Sequence, residues 1–87
     1  MRPSDVLNKP LLRFFLYLGV YVKILLNGDF VETAEGATIE SLLRQLDIGR
    51  ERVAVELNAD IIPKAHYEKQ SLCDGDKIEI VHFVGGG

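Results

Sequence analysis

The chain has a single cysteine, Cys73. No intrachain disulfide can form, and no cysteine pair is there to hold zinc. A short chain without a disulfide framework fits a reducing compartment, so a cytoplasmic location is expected. Positive charge is short as well: ten Lys and Arg stand against thirteen Asp and Glu, a formal net charge of −3. A protein that wraps nucleic acid needs a cationic surface to displace counterions from phosphates, and Arg2, Lys9 and Arg13 make only a thin patch. Nucleic acid is not an expected partner. Long apolar runs are missing too. The stretch from Leu11 to Val20 is interrupted at Arg13 and closed by Lys23, whereas a spanning helix needs about 20 apolar residues. The same stretch has the basic start and apolar centre of a secretory signal, but Gly19-Val20-Tyr21 is a poor cleavage site. No membrane partner is expected.

What is present suits one globular domain. The 87 residues are enough for a single core, and 47% apolar with 26% charged residues argues against global disorder. Residues 1–19 stand apart in composition, with Pro3, Pro10 and one apolar cluster of no clear period, and read as an N-terminal extension without an assigned role. Residues 20–84 read as the domain proper and 85–87 as a flexible glycine tail.

From Val20 the pattern sharpens. Val20–Leu26 is rich in β-branched and apolar residues and predicts a strand. Asn27-Gly28 follows, a pair suited to a type I′ hairpin turn because both positions need φ above zero, and Asp29–Thr33 is the returning strand. Thr38 is placed to cap a helix whose apolar stripe is Ile39, Leu42, Leu43 and Leu46, with Gly49 beyond its end. Val53–Asn58 alternates as a strand. Ile61-Ile62 suits a brief edge strand ended by Pro63, and Ala65–Gln70 a helical turn. Asp74-Gly75-Asp76 marks a turn before the final strand, Lys77–Phe83. A hairpin, a helix and later strands predict an α+β fold: a mixed sheet of four to five strands covered by one main helix. Ubiquitin-like β-grasp domains have this order, with the first and last strands parallel at the centre of the sheet, which suits two segments as apolar as these.

The chemistry is concentrated at the end. Gly85-Gly86-Gly87 has no Cβ to hinder close approach by another protein. Extended, residues 84–87 reach roughly 13–14 Å. Such a tail can thread a narrow channel and present a carboxylate. Cys73 lies between no evident bases and beside Asp74 and Asp76, which argues against a nucleophile. His66, His82 and Cys73 match no closed zinc spacing, so no metal site is expected. In the last strand Ile78 and Ile80 should face the helix. Val81 and Phe83 then point the other way, as a docking patch for a partner or as a surface covered by Phe14, Phe15 and Leu16.

Several stretches together resemble the sulfur carrier proteins of thiamine biosynthesis (ThiS-like). They are Ile24–Gly28, Val53–Asn58, Ile62-Pro63-Lys64, Leu72 with Asp74–Ile80, and Phe83–Gly87. Members often carry Arg where Lys64 stands and Trp where Tyr67 stands, and residues 1–20 lie outside the likeness. The resemblance implies that the chain is not itself an enzyme and binds no cofactor. It implies that a separate ATP-dependent enzyme adenylates the carboxylate of Gly87 and that a sulfur donor, such as a cysteine desulfurase system, then converts it to a thiocarboxylate. A thiazole synthase would receive the sulfur. The small subunit of molybdopterin synthase, or another ubiquitin-like carrier or modifier, shares the fold and the glycine end and stays open as an alternative.

Overall fold

The computed structural model describes residues 19–83. Asn27 (φ 48°) and Gly28 (φ 88°) both take left-handed backbone, the conformation a tight I′-like turn requires. They join β1 (Tyr21–Leu26) to β2 (Asp29–Ala34), paired antiparallel from Tyr21↔Ala34 to Leu26↔Asp29. A second tight turn does the same work later. Asn58 (φ 51°) and Ala59 (φ 74°) connect β3 (Val53–Leu57) to β4 (Asp60–Ile62). The last strand, β5 (Lys77–His82), lies parallel to β1 and antiparallel to β3. The sheet order is β2-β1-β5-β3-β4, so the mixed five-stranded sheet has the final strand at its centre, as the sequence predicts.

Helix α1 (Ile39–Gln45) begins at a reciprocal cap. Ser41 N donates to Thr38 Oγ1 at 3.1 Å, and Thr38 N donates to Ser41 Oγ at 2.8 Å. Two further amides of the first turn, which have no partner inside the helix, donate elsewhere: Ile39 N to Gln70 O and Glu40 N to Tyr67 O, both at 3.0 Å. The segment after β4 is thereby tied to the helix start. It holds a short 3-10 turn at Lys64–His66, a tighter and shorter element than the helical turn predicted over residues 65–70. The helix ends earlier than Gly49, because Asp47 (φ 58°) already leaves the right-handed region.

Alternation along the strands sends one set of side chains inward. Ile24, Leu26, Val31, Val53, Val55, Leu57, Ile78 and Ile80 meet Ile39, Leu42, Leu43 and Leu46 of the helix, with Tyr67 and Leu72 closing the edge. Each large aliphatic side chain buried in this way stabilises the fold by about 1.5–3 kcal/mol. A seven-residue helix would not persist alone, so its stability comes from this contact. Leu42→Ala, at a fully buried position, should cost about 2–5 kcal/mol.

Beside the core, Arg50 gathers the loops. Its Nη2 donates to Lys64 O, its guanidinium lies 5.5 Å from the centre of the Tyr67 ring, and Nη1 sits 3.6 Å from Glu40 Oε1. Among the described residues no helix is long and apolar enough to cross a membrane.

Candidate functional site

Because β1 and β5 are parallel, the chain enters the sheet at one end and leaves β5 at the other. A strand of six residues spans roughly 20 Å. The root of the glycine tail is therefore the far end of β5, beside Arg52 and beyond Ile80, the last residue of β5 that Asn27 reaches. Phe83 N donates to Arg52 O at 2.9 Å, which carries the pairing with the β3 side one residue past the strand. Gly85, Gly86 and Gly87, predicted to form the sulfur-bearing tail, lie outside the described residues, as do Phe14, Phe15 and Leu16.

The outer face of the sheet, away from the helix, leads to that root. Val81 is 54% exposed and Phe83 56%, both on the side opposite Ile78 and Ile80, as predicted. Ala54 stands across from Val81, and the exposed Ile61 lies on the edge strand across from Glu56. The Lys64 ammonium sits 5.1 Å from the centre of the Phe83 ring, holding that ring by a cation–π contact. Below this apolar group, Glu56 and Glu79 face each other across the β3–β5 pair. The surface thus offers apolar contact close to the tail root and negative charge one row behind it.

The other candidates are not assembled into a site. Cys73 is a free, exposed thiol. It belongs to a tied turn: its N–H donates to Asp76 Oδ2 at 2.7 Å, while Asp74 Oδ1 accepts from Lys23 N at 2.8 Å. This gives Asp74 and Asp76 structural work in place of a ligand role. Among the described residues no three His, Cys, Asp or Glu groups are placed to hold a metal ion. Two features went unread in the sequence. Lys64 reaches Phe83 only through the fold, and the Asn27 side chain bonds to Ile80 as well as shaping its turn.

A mixed sheet wrapped on one helix, with the terminal strand at its centre and a glycine run beyond it, defines the class of ubiquitin-like β-grasp domains. The ThiS family model matches residues 22–87, and the chain belongs to that family. It is 48% identical over 63 residues to the sulfur carrier protein ThiS of Bacillus subtilis, covering 71% of this chain and 96% of that one. It is also 42% identical over 66 residues to a thiazole synthase of Paramagnetospirillum magneticum, covering 76% of this chain. The matched region spans only 20% of that longer protein. The crystal structure of a thiamine biosynthesis protein (ThiS) from Geobacter metallireducens superposes with a TM-score of 0.66 at 30% identity, over 76% of this chain and all of that one.

Proposed function

We propose that this chain is a sulfur carrier for thiazole formation in thiamine biosynthesis, with Gly87 as the residue that bears the sulfur. The observation that carries the reading is the family match, which runs from the first strand through all three glycines. The carrier contributes no acid or base. A carboxylate is a poor electrophile, so a partner adenylating enzyme would first activate it: a Gly87 carboxylate oxygen attacks the α-phosphorus of ATP and pyrophosphate leaves. The terminal sulfur of a persulfide, supplied by a desulfurase-type donor, then attacks the acyl carbon and AMP leaves. A thiol cleaves the resulting S–S bond, becoming a disulfide, and the thiocarboxylate remains on Gly87. Its sulfur is the nucleophile delivered to a thiazole synthase. In this scheme ATP belongs to the partner, the chain is a co-substrate, and the chemistry takes place in the cytoplasm.

Val81 and Phe83 are the docking residues in this reading, since partners that accept the tail must meet the surface from which it emerges. The likeness to a segment of a thiazole synthase supports such a partner. The test is intact mass after incubation with ATP, an adenylating enzyme and a persulfide donor. The expected gain is the difference between one sulfur and one oxygen atom, lost when Gly87 is deleted. An unchanged mass, under conditions in which a known sulfur carrier reacts, overturns the proposal.

A further inference from the structure

The β1–β5 ladder stops before β5 does. Its last backbone bond is Asn27 N donating to Ile78 O at 2.9 Å, after which the chain turns away into β2. β5 runs on to His82, and on that side its next peptide groups would be left without a partner. The Asn27 carboxamide fills the first of these places. Its Oδ1 accepts from Ile80 N at 2.7 Å and its Nδ2 donates to Ile80 O at 3.0 Å. A carboxamide has the same donor and acceptor as a peptide, so this side chain acts as one more rung of the ladder. On the opposite side the pairing continues to Phe83 and Arg52.

We infer that Asn27 is a positioning residue for sulfur loading: it fixes the course of β5 on its β1 side, ahead of Phe83 and the tail root. This rests on the carrier reading above. Without the carboxamide, the β5 backbone beyond Ile78 is hydrogen-bonded only to its β3 neighbour and can pivot on that ladder. A partner enzyme must then order the tail root as it binds, and that cost falls on association. Once the tail is seated, the chemistry at Gly87 proceeds as before. The expected signature is a change in KM with kcat preserved.

Asn27→Gly is the informative variant, because glycine accepts the positive φ of this turn while it removes the carboxamide. In the full chain it should speed hydrogen exchange at the Ile80 amide. It should also raise KM for thiocarboxylate formation about tenfold, with kcat within about twofold, equivalent to roughly 1.4 kcal/mol of binding. Asn27→Asp keeps an acceptor for Ile80 N but sets a carboxylate against Ile80 O, and should fall between the two. Val22→Ala, which weakens the sheet at the entry end of β1, should leave KM unchanged. The inference is overturned if Asn27→Gly keeps the KM of the unsubstituted chain, or if Val22→Ala raises it equally. If the unsubstituted chain takes up no sulfur, the carrier reading itself has failed, and this inference goes with it.

Discussion

Glu56 and Glu79 stand directly opposite one another on β3 and β5, both on the outer face of the sheet. Among the described residues neither takes part in a salt bridge. Like charges in cross-strand register are destabilising, so the pair works against the fold it belongs to. Glu79→Gln should therefore raise stability by about 0.2–1 kcal/mol, read from the midpoint of urea unfolding. The gain should shrink in 1 M salt, where screening acts over roughly 3 Å. An equal gain at high salt would mean that charge is not its source.

Ala59 occupies a left-handed position (φ 74°) in the β3–β4 turn with no glycine to relieve it. Left-handed backbone costs a residue with a Cβ roughly 1–2 kcal/mol. Glycine would recover most of that while losing about 0.4–1 kcal/mol through the freedom of the unfolded chain. Ala59→Gly should give a net stabilisation of about 0.5–1 kcal/mol in urea unfolding. A loss of stability would show that the turn is not strained.

The Tyr67 side chain is 1% exposed. Burial raises its pKa above the ordinary value of 10.0, with the Val55 backbone and the Arg50 cation opposing the rise. The neutral phenol is thus favoured in the folded protein. Its contribution is intact below pH 10, the pKa in the unfolded chain, and is lost as pH rises through the higher folded value. Unfolding followed from pH 8 to 11 should show a steeper alkaline loss for the unsubstituted chain than for Tyr67→Phe. Parallel curves would remove Tyr67 as the cause.

Val81→Asp tests the docking face. The position is half-exposed but lies in the central strand, so lost β propensity should cost about 1 kcal/mol and leave the fold intact. Bringing an unpaired carboxylate into an apolar contact should raise KM for thiocarboxylate formation about tenfold or more. Unchanged kinetics would move the docking surface elsewhere.

Much of this fold was legible because its signals are local. The stripe Ile39-Leu42-Leu43-Leu46, the Asn27-Gly28 turn and the alternation in Val53–Leu57 each declare an element within a few residues. The second hairpin was harder. Ala59 is a poor residue for a left-handed turn, so Asn58-Ala59 carries no recognisable turn signature and the alternation from Val53 runs on through Asn58. The inward and outward sets on β5 followed from alternation alone, which placed Val81 and Phe83 correctly. Contacts between distant segments were not legible: Asn27 meets Ile80 across 53 positions, and nothing near either residue announces it. The glycines were picked out by composition and resemblance, and the described residues stop just before them.

The parallel union of the first and last strands makes the domain a spacer. Tyr21, where β1 begins, and Phe83, just past β5, stand at opposite ends of the sheet.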